Sequence, residues 1–226
     1  MLDFAGTVAT TALILFAVTA LIAFMRISDA AKLALAAGVG IYVGLAAAAG
    51  AAGWLAISRP FPAISVFVAG PLAAAVIASA FPAARAAMLS VPMPLMVGLN
   101  VRRVFAFMFL LLAAQGRLAG PFPYCAALGD IITGIAALRV MHLAAAPAKH
   151  AAAIAAWDLF GAADLVLAIF LGVTSAQGSP LQLFHWPPGS QAMQYLPWSF
   201  VPTFLVPVWL ILHAVVWVKL RRPAAP

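Results

Sequence analysis

The chain contains no glutamate, a single cysteine and only three lysines, and charged residues make up 8% of its 226 positions. About a quarter of an ordinary soluble sequence is charged. A soluble globular domain is therefore excluded. Cys125 has no second cysteine to pair with, so no internal disulfide exists; it lies in an apolar run and is expected to pack there. The catalytic spacings HExxH and the glycine-rich phosphate loop are both missing, and no nucleophile stands beside a base. No enzyme activity, cofactor or metal is assigned on these grounds.

What is present is apolar. Hydrophobic residues account for 66% of the chain, and the mean hydropathy is +1.13. Seven stretches are long enough to span a bilayer at about 20 residues each. They run roughly over 4–25, 32–57, 62–82, 93–114, 121–142, 151–174 and 198–219. Turn chemistry separates them at Ser28-Asp29, Ser58-Arg59-Pro60, Ser90-Val91-Pro92, Gly120-Pro121 and Ala146-Pro147. The expectation is an all-α, polytopic bundle of seven transmembrane helices in one domain over 1–226. The first run is too long for a signal peptide's apolar region and is read as a retained helix.

The net charge of +7 follows topology rather than nucleic-acid binding, because the basic residues sit at helix ends. With the N terminus outside, eight lysines and arginines fall on the cytoplasmic side: Arg26, Lys32, Arg85, Arg139, Lys149, Lys219, Arg221 and Arg222. Only Arg59 and Arg117 fall outside. The positive-inside rule then predicts N-out and C-in, in a cell inner membrane. Residues 175–197 form the one long outer loop. Trp186, Tyr195 and the following Trp198 suit a headgroup-level belt there, and a lid over an outward cavity is the sharper alternative.

Charge inside the spans carries the functional reading. A centred ion costs roughly 2.5–3.5 kcal/mol on insertion scales, so such groups persist where they pair, line water or bind something. Arg102 and Arg103 lie in the fourth span, Asp130 in the fifth, and Asp158 and Asp164 in the sixth. Arg103 and Asp130 are each nine or ten residues from a span end, about 15 Å and close to the midplane. On an ideal helix Asn100, Arg103 and Phe107 share one face, while Arg102 points about 100° away. Asp130 shares its face with Thr133. Asp158 and Asp164 face different neighbours. Gly129 and Gly161 are expected to permit close approach beside the carboxylates. The candidate ligand- or proton-binding set is therefore Arg103, Asp130, Asn100, Thr133, Arg102, Asp158 and Asp164. An arginine there can clamp an anion, and a carboxylate in excess can carry a proton or pair with a cation.

Other signals are weaker. Of His142, His150, His185 and His213 only His213 lies inside a span, so a two-histidine haem lacks its second ligand. Met88, Met93 and Met96 cluster in sequence, but methionine fills apolar gaps as readily as it binds copper. A retinal Schiff base needs a lysine inside the last span, and Lys219 stands at its end. Neither Asp130 nor Asp158 precedes the glycine that intramembrane aspartyl proteases use. Prolines 71, 202 and 207 lie inside spans, where neighbours must satisfy the carbonyls they free. The motif Gly40-Ile41-Tyr42-Val43-Gly44 permits close helix approach and is expected to serve packing within the chain.

The segments Gly129-Asp130-Ile131-Ile132-Thr133-Gly134 and Trp157-Asp158-Leu159-Phe160-Gly161-Ala162-Ala163-Asp164, with Leu196-Pro197-Trp198, resemble small seven-helix bacterial membrane proteins of uncharacterised function. The resemblance covers the C-terminal half and implies no activity. That pattern places Asn where Asp158 stands, which implies that Asp158 is peripheral and favours Asp130 and Asp164. The leading reading is an inner-membrane protein that binds and moves a small solute or proton. The alternative is a structural or sensory subunit whose buried charges lock its helices. Expected partners are the lipid bilayer, a small-molecule or proton ligand, and a second copy or a larger membrane complex.

Overall fold

A computed structural model describes residues 1–222, and these are helical with no β-strand among the described residues. Six helices are long and apolar enough to cross a membrane. They are α1 (Leu2–Phe24), α2 (Asp29–Ala51), the composite Met93–Ala114, α7 (Phe122–Leu143), α8 (Pro147–Thr174) and the composite Val201–Leu220. The expected third span is shorter than the hydropathy implied. Helix α3 (Ile64–Ser79) has 16 residues, about 24 Å at 1.5 Å each. Then α4 (Pro82–Ser90) leaves at 110°. Pro82 sits in the first turn of α4, where a missing N–H costs nothing but α3 cannot continue. The pair makes a seventh crossing only if it counts as one bent span.

Both composites change helical pitch. Met93–Ala114 consists of α5 (Met93–Leu99), a 3₁₀ stretch (Asn100–Ala106) and α6 (Phe107–Ala114). Val201–Leu220 opens with a π turn (Val201–Leu205) and continues as α9 (Val206–Leu220). Prolines explain part of this and also how α2 docks. Pro71 has no N–H for the carbonyl of Phe67, and Pro207 none for that of Thr203. The Tyr42 hydroxyl reaches both orphaned carbonyls, Phe67 O at 2.5 Å and Thr203 O at 2.8 Å. One hydroxyl of α2, with a single proton to share, thus stands within bonding distance of both acceptors that two prolines leave free.

The glycines on either side of Tyr42 do not do what the motif suggested. A Cβ at Gly40 or Gly44 would meet nothing within 4 Å, so among the described residues nothing packs against these two glycines. Cys125 is likewise exposed on α7 rather than packed. The tightest packing lies among the 3₁₀ stretch, α7, α8 and α9. There a Cβ at Gly134 would come within 2.9 Å of the Val104 backbone nitrogen.

The long loop divides. Trp186 and Tyr195 are exposed, as a belt requires, but Trp198 is completely buried. Its indole stacks on Phe105 with centroids 6.3 Å apart and donates to Asp3 Oδ1 at 2.8 Å, where Arg117 also donates at 2.7 Å. Gln191–Gln194 forms a short 3₁₀ turn within the loop.

Candidate functional site

The 3₁₀ stretch sets the site. At three residues per turn, positions i and i+3 eclipse, so Asn100, Arg103 and Ala106 form one buried row. Phe107, expected on that face, is turned out and 46% exposed. The α-helical phase used on the sequence fails at this point because the stretch is wound more tightly. Arg102 points elsewhere, as predicted. Its guanidinium lies over the Phe16 ring of α1 at 3.5 Å and is not part of the buried charge cluster.

Arg103 is 0% exposed, and every nitrogen of its guanidinium is engaged. Nε donates to Asp130 Oδ1 on α7 at 2.5 Å. Nη2 donates to Asp164 Oδ2 on α8 at 2.6 Å. Nη1 donates to the Gly161 carbonyl at 3.1 Å and lies 3.1 Å from His213 Nε2 on α9. The Trp209 ring stands 5.9 Å from the guanidinium carbon. One planar fork therefore ties the fourth span to α7, α8 and α9, a geometry that a lysine's point charge does not offer.

An arginine only donates, so His213 Nε2 must accept. The ring proton then sits on Nδ1 and is donated to Asp158 Oδ1 at 2.8 Å. Trp157 packs on the same imidazole, centroids 5.1 Å apart, while its indole donates to the Thr133 carbonyl at 3.0 Å. The result is a continuous chain, Asp158–His213–Arg103, branching to Asp130 and Asp164. The cluster holds one guanidinium and three carboxylates, two bonded to it and one reached through His213, an excess of two negative charges when all are ionised.

Glycine permits this density. A Cβ at Gly129 would overlap the Asp164 carboxylate, and one at Gly161 would lie 2.6 Å from His213 Cε1. Both glycines were expected beside the carboxylates; Gly129 is, whereas Gly161 lies against the His213 ring and Thr133. Asn100 donates to the Met96 carbonyl at 3.0 Å, which leaves its Oδ1 buried without a partner; Thr133 Oγ1 is in the same position.

A cavity of about 70 Å³ meets this cluster. Asp130 lines it, together with Phe109, Phe122 and Val206 from the helices and Ser190 and Gln194 from the long loop. Gly172 of its wall is eight residues beyond Asp164 on α8, so the loop end lies about 12 Å from the carboxylate level. Arg103 does not line it. The lid reading of the loop thus has a cavity to cover.

A family described as "Domain of unknown function (DUF8737)" matches residues 60–221. The chain belongs to that family. The DUF8737 region contains α3 and all that follows it as far as Arg221, including every member of the charged cluster, and leaves α1 and α2 outside. No curated protein matches the chain. No solved structure matches it.

Sequence reasoning thus named Arg103, Asp130 and Asp164, which the structure brings together, and Arg102, which it does not. Asp158, expected to be peripheral, is one histidine removed from Arg103. His213 was considered only as a haem ligand. A polar ring in the middle of a span needs a reason to be there, as the aspartates do, and that is the signal for His213. Gln194 and Ser190 gave no signal, because their place over the cavity comes from the fold of the loop. Among the described residues no group of three or more His, Cys, Asp or Glu is arranged to hold a metal.

Proposed function

We propose that this multi-pass membrane protein binds a small solute or proton at the Asp130–Arg103 site and moves it across a cell inner membrane, with the N terminus outside. The observation that carries this reading is the double placement of Asp130. One carboxylate oxygen is held by Arg103, and the same residue lines the cavity beneath the long loop. Three carboxylates in an apolar interior against one guanidinium favour uptake of a proton or a cation. Asp130 is the acceptor in this reading, Arg103 its counter-ion and Asp164 the gate toward the loop. The unpartnered Asn100 Oδ1 and Thr133 Oγ1 keep hydrogen-bonding capacity for the transported species. Arg103 as an anion clamp is disfavoured, because four of its five N–H donors are already taken.

The full engagement of Arg103 supports a second reading, a structural or sensory subunit in which the cluster locks four spans together. Liposome flux separates the two. Asp130-dependent movement of protons or solute, lost in Asp130→Asn and Arg103→Gln, supports transport. No gradient-dependent flux over a broad solute panel would leave the structural reading.

A further inference from the structure

We infer that the cavity ending on Asp130 is a site for a small methylated ammonium cation, a proposal that rests on the ligand-binding reading above. Charge selects the sign. Asp130 is the sole charged side chain on the cavity wall among the described residues, and its second carboxylate oxygen receives no hydrogen bond from them. Arg103 holds the first oxygen from behind and turns its other two nitrogens to Asp164, the Gly161 carbonyl and His213.

The far end supplies an independent observation. Gln194 is 5% exposed and lines the cavity, yet its amide makes no hydrogen bond among the described residues. A buried amide is ordinarily paired, so its free capacity points into the space it borders. Ser190 beside it donates to the Gly172 carbonyl at 2.5 Å and retains lone pairs to accept.

The walls and the volume select the chemistry further. Phe109 and Phe122 line the cavity with ring centroids 5.9 Å apart. Aromatic faces attract alkylated ammonium groups, which shed water more easily than a bare alkali ion. Too few oxygens are present to replace the hydration shell of an alkali cation. The cavity's roughly 70 Å³ is about half of an engineered ~150 Å³ cavity that holds benzene, so the occupant has only a few heavy atoms. Methylammonium meets all three conditions: one charge for Asp130, an apolar body for the rings, and N–H groups for carboxylate and amide oxygens.

The test is calorimetric titration of the full chain in detergent with methylammonium chloride, against sodium chloride at equal ionic strength and tetrapropylammonium as a size control. Saturable heat with methylammonium alone is expected. Asp130→Asn removes it, and Gln194→Leu, outside the ion pairs, weakens affinity by up to about tenfold, the loss of one hydrogen bond, with an unfolding midpoint measured alongside to show that the variant is folded. Equal responses to sodium and methylammonium, or binding unchanged in both variants, would overturn the proposal. Absent methylammonium binding with intact Asp130-dependent proton flux in liposomes overturns the cation class and leaves the transport reading standing. Loss of both overturns both.

Discussion

Arg103 Nη1 and His213 Nε2 approach to 3.1 Å, and only an imidazole protonated on Nδ1 permits it. The contact joins two carboxylate systems that the sequence places on different faces of one helix, about 120° apart. Asp158 is reached through His213, and Asp164 directly through Arg103. Nitrogen-15 NMR of His213 is expected to show a protonated Nδ1 and an unprotonated Nε2. Substitution Asp158→Asn should blur this preference, since the acceptor that orients Nδ1–H is weakened.

Arg103 is expected to be the least replaceable side chain. Removing one partner of a buried ion pair costs about 3–5 kcal/mol, because the charges left behind are uncompensated. Arg103→Gln should therefore lower the midpoint of thermal unfolding in detergent sharply. Arg103→Lys should recover little of it, because an ammonium cannot serve Asp130, Asp164 and the Gly161 carbonyl with one fixed fork. A lysine variant as stable as the parent would argue against the bonded geometry.

Glycine substitutions should fall into two classes. An added methyl at Gly129 meets the Asp164 carboxylate, and one at Gly161 meets His213. Alanine at either site is expected to destabilise strongly, against the roughly 1 kcal/mol that alanine gains over glycine in a helix. Gly40→Ala and Gly44→Ala, where a Cβ touches nothing, should be neutral or stabilising. Unfolding midpoints of the four variants decide it.

Tyr42 should couple to two prolines. Its hydroxyl serves the carbonyls of Phe67 and Thr203, which Pro71 and Pro207 leave without donors. Tyr42→Phe is expected to cost about 1–3 kcal/mol, the penalty of stranding a buried acceptor. In a Pro71→Ala, Pro207→Ala background each carbonyl regains a helical N–H, and the same substitution should cost markedly less. A double-mutant cycle reads the coupling; an additive result would remove the tyrosine from this role.

The Asp3–Arg117 pair provides a contrast. It is partly exposed, with Arg117 Nη1 2.7 Å from Asp3 Oδ1. Pairs of this kind contribute roughly 0–1 kcal/mol and weaken with salt. Asp3→Asn should shift the unfolding midpoint little, and less still in high salt. The shift for Trp198→Phe should be larger, since that ring is wholly buried.

Much of the site could be read before any coordinates. An aspartate in an apolar run must find a partner, and depth along each span put Arg103 level with Asp130. The face assignments failed where helical pitch changed. Phe107 was expected inward on α geometry, and the 3₁₀ winding turned it out. Small residues misled in the same way: Gly129 and Gly40 look alike in sequence, yet one faces a carboxylate and the other faces none of the described residues. His213 lies some fifty residues from Asp158, and no local pattern links them.

Composition alone determined that this is a multi-spanning helical membrane protein. Of the two ways to satisfy backbone polar groups in lipid, helices and closed barrels, apolar runs of about 20 residues select helices. The sequence also determined which residues must justify their presence there, because the cost of burying charge is a property of the side chain and the solvent. Only the tertiary structure decided how that cost is met. Whether an arginine serves one carboxylate or two, and whether a histidine joins them, depends on angles between helices. Those angles follow from the close approaches that Gly129, Gly134 and Gly161 allow.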